Sequence, residues 1–558
     1  MPVKRYGIYL AYPPTINLRA DGLGRLLAEF LKGSQTHEEL RFCIACPSWM
    51  RDSLEDLFES TGVPSDQFEI ITPTRLPLLL RAHQWLLARK KKKRRAGILA
   101  RIVQRLRDRT HKLALATQKW AVNVRSPLQI AGLVIALAVG AVAATVFILL
   151  RGLVRAIAIC LRAVSRPMAR LLHKAWPHGP INQIRRTLQS ANPKNDPLTV
   201  RLYRYMEEGE SQLLRQLIER RSDIQAWYCP TAFWPQFNDI DKPRLICIPD
   251  VVLAHFPTGY APIGGDRFLE NFRQVEKTIE RGQHFVTYSE DVKWRTLVER
   301  YRVSPENITV IPHGANRLDQ LISVPGFPNE TEAIEQRCRD LLEQAMAKAI
   351  QPKGQGLPPF HHSDYIFYAS QFRPNKNVIT LLRAYKYLLR RRYIGCKLVL
   401  TGDPHVQPLI DRYVRKHRLE FDVLFLHNLS DRELAACYRL ATLAVNPSLS
   451  EGGCPFTLTE ALSVGTPVVM ARIAVTEEVV TDAGVREQML FDPYDWRDVA
   501  ARIEWALANR ETLLAAQLPF YEKLAQRDWP QVVDEYIGAL DRIVQAEAAG
   551  AAVETPHA

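Results

Sequence analysis

Apolar residues along this chain fall into short runs separated by stretches with helical spacing. The runs YGIYLAY (6–12), RFCIACP (41–47), FEIITP (68–73), AWYCP (226–230), RLICIP (244–249), HFVTYS (284–289) and ITVIPHG (308–314) read as buried strands. Helical patterns alternate with most of them, as RLLAEFLKG (25–33) does after the first, and this alternation predicts a parallel α/β sheet. A second series follows with YIFYAS (365–370), CKLVLTGD (396–403), DVLFLH (422–427), LAVNPS (443–448), PVVMA (467–471) and QMLFDP (488–493). Pro and Gly punctuate the connector between the series, with one polar helix expected near 332–350, and 496–547 reads as helical. The expected fold class is α/β, with two Rossmann-like domains facing across a cleft and ligands at the carboxyl ends of the strands. Segments 1–74 and 198–320 form the first domain, 75–197 an insertion, 321–362 a linker and 363–520 the second domain. A C-terminal helix, 521–547, is expected to pack back across the domains, ahead of a disordered tail at 548–558.

The insertion follows neither series. It carries RKKKKRR at 89–95 and then a charge-free run from Ser126 to Leu150, long enough to span a bilayer. Arg151, Arg155, Arg162, Arg166 and Arg170 fall on one helical face, with Leu153, Ile157, Cys160, Val164 and Met168 opposite. That is the pattern of a helix lying in a membrane interface, kinked at Pro167. Both ends of the insertion must lie on one side of a membrane if the flanking strands share a sheet. A single crossing is then forbidden, and the expectation is a monotopic or hairpin-inserted helical membrane-associated element. A buried soluble helix is the rival. Nucleic acid explains the basic run but not the apolar one, so anionic lipids are the expected partner and nucleic acid is not.

Composition locates the charge. The 558 residues carry a formal net charge of +15. The segment from Arg75 to Asp196 holds 25 Lys and Arg against two acidic residues, Asp108 and Asp196, which leaves the remainder net negative. Cys43 and Cys46 form a C-x-x-C inside an apolar run; residues i and i+3 of a strand face opposite ways, and no second pair completes a zinc site. They read as buried thiols. The first residues hold no signal-peptide apolar region, so the bulk is expected at the cytoplasmic face of the cell (inner) membrane, and Asn307 and Asn428 as chance sequons.

The chemistry concentrates in NPSLSEGGCPFTLTEALSVGTPVV (446–469). It offers a strand, the pair Gly452-Gly453 and a helix beginning near Phe456 or Thr457. Glycine amides can approach a phosphate or sugar closely, and a helix N-terminus favours an anionic diphosphate. Glu451 and Glu460 bracket the turn, and both can accept hydrogen bonds from sugar hydroxyls.

This stretch resembles the retaining glycosyltransferases of family 4, with their two-Rossmann (GT-B) fold. The family carries E-x7-E followed by a small-residue helix and G-T-P-V-V. Here Glu460-Ala-Leu-Ser-Val-Gly465-Thr-Pro-Val-Val keeps the second half in register. Eight residues, not seven, separate Glu451 from Glu460, so the match of Glu451 depends on a one-residue bulge at Gly452-Gly453. Tyr368-Ala-Ser-Gln-Phe-Arg-Pro-Asn-Lys376-Asn377 resembles the loop supplying an Arg and a Lys to the donor diphosphate. Many members have the Arg where this chain has Gln371, and Arg373 stands in for it, as in the Q-F-R-P-x-K variants of some lipid-linked mannosyltransferases. Thr401-Gly402-Asp403 and FLHNLSDRELAACYRLA (425–441) resemble the elements covering the base. Val310-Ile-Pro-His313-Gly314 resembles the strand end before the interdomain linker, and Asp482-Ala-Gly484 and Phe491-Asp-Pro the closing motifs. Gly22-Leu-Gly24-Arg25 resembles the glycine loop after the first strand, with a simple tight turn as the alternative. Pro249-Asp250 stands where many members have His-Asp. Asp250 is expected toward the acceptor, and His255 is a candidate replacement for the absent histidine, against an ordinary surface one.

The resemblance covers about 1–74 and 198–545 and implies retaining transfer of a hexose from a nucleotide-sugar to a glycan or lipid-linked acceptor. Mannose is the preferred sugar, on the Q-F-R-P-x-K likeness. Arg373 and Lys376 would stabilise the departing diphosphate, Glu451 orient the sugar, and Glu460 with Thr459, Gly452, Gly453, Gly402, Gly22 and Gly24 bind the donor. Asp250 completes the catalytic set. No metal or cofactor is expected: fixed cations, not a metal, face the leaving group. The alternatives are a non-catalytic membrane-associated scaffold derived from a transferase, and a sugar-nucleotide epimerase or phosphorylase.

Overall fold

The computed structural model describes residues 4–14, 18, 22–77, 80–81, 198–256, 260, 266–326, 331–349 and 363–553. Apart from 75–77 and 80–81, the insertion lies outside the described residues, and its proposed membrane helices lie there entirely. Among the described residues, no helix is long and apolar enough to cross a membrane. Contacts divide the chain into one unit of 1–74 with 207–558 and another of 75–206.

The first unit contains two sheets. Strands β1 (Lys4–Tyr9), β2 (Leu40–Ala45), β3 (Phe68–Ile71), β4 (Trp227–Cys229), β5 (Arg244–Cys247), β6 (His284–Thr287) and β7 (Ile308–Val310) form one, in the order β3-β2-β1-β4-β5-β6-β7. Every pairing in it is parallel. Strands β8 (Tyr365–Tyr368), β9 (Lys397–Leu400), β10 (Val423–Phe425), β11 (Leu443–Asn446), β12 (Val468–Ala471) and β13 (Leu490–Phe491) form the other, also parallel, in the order β10-β9-β8-β11-β12-β13. Helices cover both faces of such sheets, which is why the strands read as unbroken apolar runs rather than alternating ones. At the centre of the first sheet Gly7 pairs with Trp227. A Cβ on Gly7 would stand 2.1 Å from the indole ring, so the glycine makes room for the largest side chain of that core.

Two expectations about connectors change. The polar helix expected within the linker forms, as Thr331–Ala347, but its Cys338, Leu342, Ala345 and Met346 are buried in one core with Leu318, Ile322 and Leu434. Its apolar face is therefore part of the second domain. The C-terminal helical stretch divides into Trp496–Ala508, Arg510–Ala525 and Trp529–Val553. The last begins later than expected and continues to 553, where a disordered tail was expected. Its Trp529, Val532, Val533, Tyr536, Leu540 and Ile543 are buried in the core of the first sheet.

The crossing between domains is hydrogen-bonded at its corner. Arg527 donates to the Pro312 carbonyl through Nε at 3.1 Å and Nη2 at 3.0 Å, and its own carbonyl accepts from Ala315 N at 3.0 Å. The two chain segments that pass between the domains are thus tied to each other.

Candidate active site between the two sheets

The predicted residues sit just beyond the carboxyl ends of strands, where a doubly wound sheet leaves its loops free to bind. Asp250 follows β5, Lys376 follows β8, and Glu451 follows β11. Their loops are stitched together by one backbone bond and by the Asn375 side chain. Leu449 N donates to the Asn375 carbonyl at 2.7 Å, Asn375 Nδ2 to the Ser450 carbonyl at 3.3 Å, and Tyr260 OH to Asn375 Oδ1 at 2.8 Å. Asn377 adopts a left-handed conformation (φ 53°), which asparagine tolerates better than most residues, and its Nδ2 donates to the Pro493 carbonyl. This frame brings Lys376 Nζ to 2.6 Å from Glu451 Oε1.

Asp250 joins the same electrostatic neighbourhood. Burial pushes its carboxyl above the usual range, Lys376 pulls it back, Glu451 pushes it up and Arg373 lowers it. Lys376, Glu451 and Arg373 thus all lie within electrostatic reach of Asp250. Arg373 itself donates to Gln371 Oε1 at 3.3 Å.

The glycine pair has a role the sequence did not reveal. A Cβ on Gly452 would stand 1.9 Å from the Pro249 carbonyl oxygen and 3.2 Å from Asp250 Cβ. One on Gly453 would stand 2.7 Å from Tyr288 Cβ. The missing side chains let the first domain's backbone press against this turn. Ser289 Oγ donates to the Gly452 carbonyl at 2.9 Å and closes the contact. Helix Phe456–Ser463 starts where expected, and its Glu460 side chain is only 3% exposed. Glu460 Oε1 accepts from Arg25 Nη2 at 2.7 Å and Asn316 Nδ2 at 3.3 Å, while Thr459 Oγ1 accepts from Asn316 N at 3.4 Å.

The other glycines divide. Gly24 lets the Leu18 carbonyl approach helix Gly22–Gly33, since a Cβ there would lie 2.2 Å from that oxygen, whereas Gly22 faces open space. Gly402 packs against the Phe372 ring, where a Cβ would meet Cδ1 at 2.2 Å; packing alone accounts for this glycine.

His255 is engaged elsewhere, with Nε2 2.5 Å from Thr296 Oγ1 within the first domain. The histidine at the glycine pair is His313. Its ring lies 4.0 Å from Tyr288 and 4.9 Å from Phe456 between centroids, and its Nε2 would be 3.3 Å from a Cβ on Gly453. Burial, with the Arg527 charge adding to it, lowers its pKa to about 4, so it is neutral at pH 7. Arg25 and His313 lie inside motifs that by themselves assign them no role; Ser289 and Asn316 carry no local signal. The Cys43 and Cys46 thiols are buried, and desolvation lifts each to about 12, far from reactive. Among the described residues, no group of three or more His, Cys, Asp or Glu is placed to hold a metal ion.

Residues 353–518 match the family model described as Glycosyl transferases group 1. O-antigen chain mannosyltransferase B of Escherichia coli is 30% identical over 181 residues, 31% of this chain and 45% of that protein. O-antigen chain mannosyltransferase RfbU of Salmonella typhimurium is 24% identical over 262 residues, 47% of this chain and 61% of the relative. The chain thus spans less than two thirds of either relative's length. The solved structure of Anabaena Alr3699/HepE in complex with UDP and glucose aligns over 97% of this chain and 100% of its own, with a TM-score of 0.52 at 12% identity, a likeness of fold. Two parallel α/β sheets, and a match to the glycosyl transferases group 1 model in the second, make this a chain of GT-B fold whose second domain is similar to that family.

Proposed function

We propose that the protein is a retaining, metal-independent glycosyltransferase that moves a hexose, preferably mannose, from a nucleotide-diphosphate sugar to a membrane-proximal or lipid-linked glycan in polysaccharide assembly. The observation that carries this reading is the Lys376–Glu451 pair at 2.6 Å, with Asp250 against the adjoining Gly452. A cation beside a carboxylate at strand ends suits a reaction that must neutralise a departing diphosphate while orienting a sugar. The mannosyltransferase names of the relatives support the sugar, and the basic insertion supports a site at the cytoplasmic membrane surface.

In this reaction the bond between the sugar's anomeric carbon and the phosphate oxygen breaks, and both electrons leave with the diphosphate. The acceptor hydroxyl attacks from the face just vacated, and its proton passes to the departing phosphate oxygen. Lys376 and Arg373 stabilise the growing negative charge. Glu451 orients the sugar, Glu460 holds the ribose hydroxyls, and Asp250 faces the acceptor.

The test is transfer and hydrolysis across a panel of GDP-, UDP- and dTDP-hexoses, with NMR of the product's anomeric configuration and with EDTA present. Turnover with GDP-mannose, retention, and indifference to EDTA are expected. Inversion, or no turnover of any donor, would refute the assignment.

A further inference from the structure

One charged side chain of the cleft has no part in that scheme. Arg25 stands in the first turn of helix Gly22–Gly33, on the first domain, and reaches the second. Its Nη2 is 2.7 Å from Glu460 Oε1 and its Nε 3.8 Å from Asp431 Oδ1, at the start of helix Asp431–Leu440. The two partners differ sharply in exposure: 3% for the Glu460 side chain and 52% for Asp431. A carboxylate as shielded as Glu460 is costly to leave without a cation. The hydrogen bonds to its Oε1 come from Arg25 and Asn316, neither of which lies on Glu460's own helix. Compensation of Glu460 by Arg25 therefore depends on the two domains standing close together. The anchor is well set, because Gly24 packs its helix directly onto the Leu18 carbonyl.

We propose that Arg25 is a positioning residue that holds the Glu460 carboxylate in place for the donor and couples closure of the cleft to nucleoside diphosphate binding. The proposal rests on the reading of Glu460 as the ribose-binding group. A ribose hydroxyl donating to Glu460 shares that carboxylate with Arg25, so the nucleotide and the first domain meet on one side chain. Without Arg25, the buried carboxylate loses its cation and turns toward water as the cleft opens. That weakens nucleotide binding without touching the groups that face the departing phosphate.

The experiment uses the full chain and the probes GDP, UDP, ADP, CDP and dTDP, with binding by calorimetry, cleft opening by small-angle scattering, and steady-state transfer. Arg25→Ala is expected to weaken binding of the preferred nucleotide about 30-fold or more, the usual consequence of stripping the cation from a buried carboxylate. It should raise the donor KM far more than it lowers kcat, and it should enlarge the particle. Arg25→Lys recovers part of the affinity. Because Arg25 acts through Glu460, Arg25→Ala combined with Glu460→Gln should bind no worse than Glu460→Gln alone. Wild-type affinity in Arg25→Ala, or losses that add in the double variant, would overturn the proposal. If Arg25→Ala does not fold, Arg25→Lys with and without Glu460→Gln carries the same additivity test. A wild-type protein that binds none of the five nucleotides overturns the donor-site reading and this proposal together, whereas binding indifferent to Arg25 overturns this proposal alone.

Discussion

Lys376 and Glu451 are 75 residues apart in sequence and 2.6 Å apart in space, each less than a quarter exposed. The two are brought together by bonds between their loops, chiefly Leu449 N to the Asn375 carbonyl, so the pair is held by the frame and not merely by its charges. Lys376→Ala is expected to lower transfer by ~10²-fold, the common result of removing one fixed electrostatic stabiliser. The loss should fall on kcat, with the fold intact by circular dichroism. Turnover within threefold of wild type would remove Lys376 from the mechanism.

Gly452 makes a sharper, purely steric prediction. A Cβ there would meet the Pro249 carbonyl oxygen at 1.9 Å, and that backbone group cannot swing aside as the end of a flexible side chain could. Gly452→Ala should cost about 1–3 kcal/mol of the closed arrangement and lower turnover about tenfold or more. Gly209, with nothing within 4 Å of its added Cβ, is the control, and Gly209→Ala should be neutral or slightly stabilising. Equal effects of the two changes would contradict the close packing at Gly452.

His313 predicts a pH dependence. Its folded pKa is about 4, lowered by burial from 6.5. Between those values the unfolded chain binds more protons than the folded one, so stability falls as pH drops from about 6.5 toward 4 and is unaffected above that window. The loss attributable to this ring is at most about 3 kcal/mol, from the conversion of pKa difference to free energy. Urea denaturation of wild type and His313→Phe at pH 7, 5.5 and 4.5 checks it: the gap in stability should shift in favour of the variant as pH falls.

The last helix offers a test of the crossing. Trp529 is 8% exposed in the core of the first sheet, and its backbone lies against Gly33 and Gly314. Trp529→Ala is expected to destabilise that domain by about 3–5 kcal/mol, the range for truncating a large buried aromatic. An unfolding midpoint unchanged from wild type would show that the helix does not stabilise the first domain.

Some of this is legible in the sequence. Two series of apolar strands with intervening helices, the start of helix Phe456–Ser463, and the grouping of Asp250, Arg373, Lys376 and Glu451 follow from local pattern and motif order. His255 shows where local reading stops. It was the histidine nearest Asp250 in sequence, yet Thr296 holds it, while His313, much farther along the chain, lies against the glycine pair. Proximity along a chain and proximity across a cleft are different quantities. The linker helix Thr331–Ala347 shows the same limit: a mixed polar pattern did not reveal that its Cys338, Leu342 and Met346 face had a partner surface to bury against.

What the sequence determined by itself is whatever repeats over a few residues: the strand and helix periods, the charge of the insertion, and the spacing of Glu451, Gly452, Gly453 and Glu460. Those features are set by side-chain direction and backbone preference within one element. Only the tertiary structure decided that Arg25 compensates Glu460 across 435 residues, and that Gly452 is small because Pro249 lies against it. Contacts of that kind depend on how two separately formed sheets dock, and no local pattern in either one encodes the surface of the other.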